Sequence, residues 1–126
     1  MPRRETVECF IAMVSSNDHV RAIEEFYAED ASMQENLAPP RVGRAVLVAH
    51  EKAALGRVAS VHTHAVTTFL VDGDHVAIHW IFDFTLPDGS TRRFDEMALQ
   101  TWEGEKIVRE RFFYDPATVT AKPPAG

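Results

Sequence analysis

The chain has 126 residues and a mass of 14.2 kDa, with 45% hydrophobic and 25% charged residues, a composition that fits one globular domain and excludes disordered, collagen-like and coiled-coil chains. A domain of this length buries roughly two-thirds of the surface its unfolded chain exposes, enough for a core with a pocket in it. Thirteen Lys and Arg against nineteen Asp and Glu leave a net charge of -6, and with no basic stripe to offset it a nucleic-acid backbone is repelled. No apolar run reaches the ~18 residues of a membrane span. No stretch of signal-peptide type follows the basic start Met1–Thr6, so the expected location is cytoplasmic. The single cysteine, Cys9, excludes an internal disulfide and is expected to be buried as a small hydrophobe.

Val7, Phe10, Ile11 and Val14 follow the spacing of an amphipathic helix. Asn17-Asp18 breaks it and supplies a new N-cap, and Val20, Ile23, Phe26 and Tyr27 mark a second short helix. Ala31–Glu35 reads as a short strand. Residues 36–42, with Pro39-Pro40, read as a loop without regular structure. A third helix is expected from Gly43 to about Gly56, with Ala45, Val46, Ala49, Ala53 and Ala54 inward. Beyond Ala59, β-branched and aromatic residues alternate between turn signals at Asp72-Gly73, Pro87-Asp88-Gly89 and Glu103-Gly104. The spacing predicts four long strands, 59–71, 75–86, 91–102 and 106–114, joined as an antiparallel meander. Residues 1–116 are then one α+β domain, three N-terminal helices packed on a strongly curved, cone-shaped antiparallel sheet, and residues 117–126 are a flexible tail.

Strand faces place the candidate residues, because successive side chains point to opposite sides. A three-residue turn at Pro87-Asp88-Gly89 pairs Leu86 with Ser90, hence Phe82 with Phe94, Trp80 with Glu96, Ile78 with Ala98 and Val76 with Gln100. Val76, Ile78, Trp80, Phe82 and Phe84 form the apolar face that meets the helices, so Glu96 and Gln100 share the inward side. His75, His79 and Asp83 fall on the other face, which is expected to be wet or to lie at a subunit interface. A turn at Trp102-Glu103-Gly104 pairs Glu96 with Glu110 and brings Val108, Phe112 and Tyr114 inward; a two-residue loop would instead bring in Arg109 and Arg111. The first is favoured because it turns the arginines outward. The turn at Asp72-Gly73 is open: one register sets His62 opposite Asp83 on the outer face, another brings His62 and His64 inward. His62-Thr63-His64 lacks a third ligand at a suggestive spacing, so no metal or other cofactor is expected.

The run Phe26-Tyr27-Ala28-Glu29-Asp30-Ala31-Ser32-Met33, the proline-bearing loop before Gly43, the Asp-Gly-Asp turn, the tryptophan-bearing strand and Gly104-Glu105-Lys106-Ile107-Val108 resemble the SnoaL-like and ketosteroid isomerase-like group of the nuclear transport factor 2 superfamily. The resemblance spans about residues 5–115. It implies a cystatin-like roll, usually dimeric through the open face of its sheet, and a superfamily of isomerases, polyketide cyclases, epoxide hydrolases, dehydratase-like proteins and binding modules. Mapped residue by residue, the isomerase base falls on Glu35. The tyrosine and the neutral acid that hold the oxyanion fall on Phe10 and about Ala98, which cannot donate.

Glu35 is thus a candidate general base, with Glu96 or His64 as the partner acid. An opposed Glu96–Glu110 pair would have Cβ atoms about 5 Å apart and share a proton or take up a cation, or else Gln100, Arg92 or another arginine pairs with one of them in a structural network. Tyr114 is a candidate oxyanion donor, and Trp80, Phe82 and Phe112 are core side chains that also wall a pocket. The expected protein is a homodimer binding a small apolar or aromatic molecule, with cofactor-free proton transfer of isomerase, cyclase or dehydratase type as the leading activity. A non-catalytic ligand-binding or dimerisation module is the alternative, and a protein-transport adaptor has no supporting surface patch in the sequence.

Overall fold

The computed structural model describes residues 1–124. Helices α1 (Arg4–Ser15), α2 (His19–Phe26) and α3 (Arg44–Gly56) cover one face of a curled seven-stranded sheet. Its strands are β1 (Tyr27–Glu35), β2 (Arg41–Val42), β3 (Ser60–Thr63), β4 (Phe69–Asp72), β5 (His75–Thr85), β6 (Thr91–Glu103) and β7 (Lys106–Phe113). The order is β2-β1-β7-β6-β5-β3, with β4 pairing along the same edge of β5 as β3. The α+β class and the helix-covered curled sheet are as expected. The sheet is not wholly antiparallel, because β1 returns beside β7 in parallel.

Local chemistry explains most elements. Val7, Phe10 and Val14 form the buried stripe of α1, and Phe10 sits edge-on to Phe26, Tyr27, Trp80 and Trp102 at centroid distances of 5.5–6.2 Å. Asn17 adopts φ 67, which stops α1, and its side chain turns to β3 rather than capping α2. Gly43, at φ 103, lets the chain leave β2 and start α3 while its amide donates to Ala31 O at 2.8 Å. The turn at Pro87-Asp88-Gly89 forms as expected, with Gly89 at φ 85, and every predicted β5–β6 pair is present.

Other expectations need correction, among them Tyr27, expected on the second helix, which opens β1. The strand predicted over 59–71 is two strands, β3 and β4, separated by irregular residues 64–68. The loop over 36–42 contains β2, which pairs Arg41 with Met33 and Val42 with Ser32. On α3 the inward stripe is Leu47, Val48, Glu51 and Ala54, while Ala45, Val46, Ala49 and Ala53 are exposed; alanines gave no phase to the helix, and Leu47 did. Cys9 is exposed, on the solvent side of α1. The β6–β7 hairpin turns through two residues, Gly104 and Glu105, yet Glu110 still faces inward. A bulge at Val108 moves the ladder from Trp102–Ile107 to Thr101–Arg109, so Glu110 lies opposite Gln100 and not opposite Glu96. The tail carries a single helical turn at Pro116–Thr118 and a bridge from Lys122 to Thr91; residues 125 and 126 lie outside the described residues.

The position of α3 is testable. Leu47→Ala should destabilise the protein by about 2–4 kcal/mol in urea unfolding, whereas Ala49→Ser should stay within about 0.5 kcal/mol of the wild type. Equal effects would place the wrong face of α3 on the sheet.

Candidate active site

Between the helices and the concave face of the sheet lies a cavity of about 850 Å³. Phe10, Trp80, Phe82, Phe84, Phe94 and Phe112 give it aromatic walls, which the strand alternation dictates: each inward position of β5 carries a large apolar residue. Trp80 and Phe82 are stacked at 5.5 Å. Four carboxyl side chains also line it: Glu35, Glu51, Glu96 and Glu110.

These carboxyls sit in different surroundings. Glu110 is 1% exposed and fully occupied. Tyr27 Oη donates to one of its oxygens, and Gln100 Nε2 donates to the other at 2.6 Å. The Trp102 indole N–H donates to Gln100 Oε1 at 2.9 Å, and since an indole can only donate, it fixes which end of Gln100 faces Glu110. Burial pushes the Glu110 carboxyl up to about 7, against the downward pull of its bonds from Gln100 and Tyr27. The Tyr27 hydroxyl is pushed well above its ordinary 10.0, by burial first and by Glu110 second. Of the two alternatives for Glu110, the structural network with Gln100 is the one formed.

Glu96 is also buried as a residue, at 7% exposed, and no hydrogen bond to its carboxyl is formed among the described residues. Its oxygens are accessible from the cavity, since no sealed side-chain oxygen among the described residues lacks a partner. Its carboxyl faces the cavity beside Trp80, its cross-strand partner. Burial, then the charges of Glu110, Glu35 and Glu51, raise it to about 8, so it carries a proton at neutral pH. One step beyond the last β6–β7 pair, Met97–Phe113, stands Tyr114, also on the cavity wall. Its hydroxyl is raised from 10.0 by burial first and by Glu35 and Glu96 after that. Glu35, at the end of β1, is half-buried at the wall and pairs with Arg41 of β2 at 3.5 Å.

The expected site residues are thus brought together, with two exceptions. Gln100 is at 0% exposure and lies behind Glu110 rather than on the wall. His64 is on the outer face: of the two registers left open, β3 takes the one that pairs His62 with Asp83 and Thr63 with Phe82, so alternation turns Thr63 inward and His62 and His64 outward, and His64 Nε2 meets Asp83 Oδ2 at 2.6 Å. Asp83 also accepts from Arg93 at 2.7 and 2.9 Å, and this guanidinium, with burial opposing, holds its carboxyl down to about 2. His64 therefore belongs to an outer ion cluster. Two residues the sequence reading passed over, His19 and Glu51, line the cavity. Each sits on the apolar stripe of its helix, His19 with Ala22 and Ile23, Glu51 with Leu47 and Ala54, and that periodicity was the available signal. Among the described residues no three His, Cys, Asp or Glu side chains converge as a metal site, and no helix is long and apolar enough to cross a membrane.

The family model described as SnoaL-like domain matches residues 7–110. No curated protein matches the sequence. A proposed SnoaL-like polyketide cyclase from Mesorhizobium loti is 25% identical, with a TM-score of 0.73 over 87% of this chain and 97% of that one. TerC, crystallised with polyporic acid, is 17% identical, with a TM-score of 0.74 over 90% of this chain and 91% of that one. A protein of cystatin-like fold from Xanthomonas campestris is 19% identical, with a TM-score of 0.78 over 94% and 95% of the two chains.

The raised carboxyls set a pH dependence. Between the ordinary 4.5 and about 7–8 the folded protein keeps protons that the unfolded chain releases, so stability falls as pH rises through that window. Glu96→Gln, which cannot ionise, should flatten the decline by more than about 1 kcal/mol in urea unfolding across the window. A curve parallel to the wild type's would place Glu96 in bulk water.

Proposed function

Because the chain belongs to the SnoaL-like domain family, we propose that its cavity is a cofactor-free proton-transfer site of isomerase, cyclase or dehydratase type for a small apolar molecule bearing a carbonyl or an aromatic ring. The observation that carries this reading is Glu96: the carboxyl of a buried residue, with no hydrogen-bond partner among the described residues, whose oxygens open onto a largely aromatic cavity. An apolar wall that only bound ligand would be more stable with an apolar residue there, since an unpaired buried carboxyl costs free energy. The common fold of TerC and its crystallisation with polyporic acid support a small-molecule occupant.

The chemistry follows from the placement of the two carboxyls on the cavity wall. Glu35, charge-balanced by Arg41, takes a proton from the carbon next to the carbonyl. The C–H electron pair moves into a C–C double bond, and the carbonyl oxygen receives the proton of Glu96 to give the enol. The enol returns its O–H proton to Glu96 and takes a carbon proton back from Glu35, at the same or a conjugated carbon. Tyr114, on the same wall, is a second donor to the oxygen. Atoms and charge balance without an added reagent. Glu96 thus fills, from β6, the neutral-acid role that the family match had put near Ala98.

The reaction is testable without the natural substrate. β-Tetralone in heavy water, read by mass spectrometry, should take up deuterium next to its carbonyl faster with the protein than without. Glu35→Gln should slow this by about 100-fold or more, and quenching of Trp80 emission should show the ketone still bound. The rate should fall as pH rises past about 8, where Glu96 loses its proton. Exchange unchanged in Glu35→Gln would remove the base.

The outer face supports a homodimer. Met97, Leu99 and Phe113 are 41–45% exposed on adjacent strands, an apolar patch on the side away from the cavity. The protein should sediment as a dimer and Leu99→Arg as a monomer; a monomeric wild type would refute the pairing.

A further inference from the structure

The helical wall of the cavity holds a pair that this mechanism leaves idle. His19 opens α2 and Glu51 lies midway along α3; His19 Nδ1 stands 3.5 Å from Glu51 Oε1. The polarity of the surrounding hydrogen bonds decides where the ring protons sit. Asn17 Oδ1 accepts from the Thr63 amide at 3.2 Å and from the Thr63 hydroxyl at 2.8 Å. A hydroxyl has one hydrogen. Thr63 therefore has none left for His19 and must accept from its Nε2–H, at 2.9 Å. A neutral ring would then place an unprotonated Nδ1 3.5 Å from a carboxylate oxygen. Two lone pairs in that position repel, whereas one proton between them makes a charge-assisted contact. His19 is 8% exposed and packs edge-on to Phe82 at 5.3 Å, while the Glu51 side chain is 23% exposed on the cavity wall. Glu51 in turn is close enough for its charge to act on Glu96, Glu110 and Tyr27. His50 and Arg57 are the other ionisable side chains of α3 and its end that line the cavity.

We infer that His19 and Glu51 form a second proton-handling station, holding one proton on the helical wall while Glu96 holds another on the sheet wall. Glu51 is the group that meets the substrate. His19 is a positioning residue that fixes the orientation and charge of Glu51. A ligand lying between the two walls can then lose a proton to one side and gain one from the other. That consequence rests on the proton-transfer reading; the pair itself does not.

The test uses the whole protein, labelled with heavy nitrogen at histidine and followed by NMR at neutral pH. Glu51→Gln keeps the shape and loses the charge. The ratio of doubly to singly protonated His19 ring should fall about tenfold or more, and the neutral ring should carry its hydrogen on Nε2. In Thr63→Val, which removes the acceptor for that hydrogen, the neutral ring should carry it on Nδ1 instead. An unchanged ratio in Glu51→Gln, or a neutral Glu51→Gln ring with its hydrogen on Nδ1, overturns the pair. In the β-tetralone exchange, Glu51→Gln should be about 100-fold slow with Trp80 quenching retained, and Glu51→Asp should restore part of the rate. Undiminished exchange in Glu51→Gln overturns the role of Glu51. A wild type that binds the ketone and exchanges nothing overturns the proton-transfer reading alone, and the NMR ratio still decides the pair.

Discussion

Desolvation of one carboxyl organises this protein. Glu96 is largely buried among the same aromatic side chains that make the core, its oxygens reach only the cavity wall, and no hydrogen-bond partner among the described residues compensates it. A buried acid in that position keeps its proton, because the ionised form would lose its hydration and gain the repulsion of Glu35, Glu51 and Glu110. The cavity thereby holds a proton donor at neutral pH. Its other carboxyls each have a polar neighbour: Arg41 beside Glu35, Tyr27 and Gln100 on Glu110, and His19 near Glu51.

The scaffold serves this arrangement through rigid supports rather than loops. Trp102, Gln100, Glu110 and Tyr27 form one chain of hydrogen bonds across β6, β7 and β1, each link fixing the direction of the next. Phe10 ties α1 to that layer through four aromatic contacts. The polar network and the aromatic cluster therefore lock the floor, and Glu96 meets the open volume from a strand whose register is set on both sides. A site carried by strands and helix stripes holds its groups more closely than one carried by loops.

Polar side chains of the outer face are spent differently. His64 and Arg93 converge on Asp83, and His79 Nε2 meets Asp95 at 2.6 Å. These groups hydrogen-bond one another beside the patch of Met97, Leu99 and Phe113. The two faces of one sheet thus differ, with an acid lacking a protein partner inside and hydrogen-bonded polar side chains outside.

What the amino-acid sequence determined by itself was whatever local chemistry decides. Pro87-Asp88-Gly89 allows one turn, that turn sets the β5–β6 register, and the register alone put Glu96 and Gln100 on the apolar face beside Trp80 and Val76. The motif around Tyr27–Met33 likewise pointed to the fold and to Glu35. Only the tertiary structure decided what depends on distant partners. The parallel return of β1 beside β7, the bulge at Val108 that sets Glu110 against Gln100, and the pairing of His62 with Asp83 that leaves His64 outward were not fixed by a turn signature. The meeting of His19 with Glu51 is of the same kind: each residue lay legibly on its own helix stripe, but the contact exists because α2 and α3 pack together over the sheet. Turns and alternation are properties of neighbouring residues, whereas a pair separated by more than thirty residues is chosen by the packing of the whole.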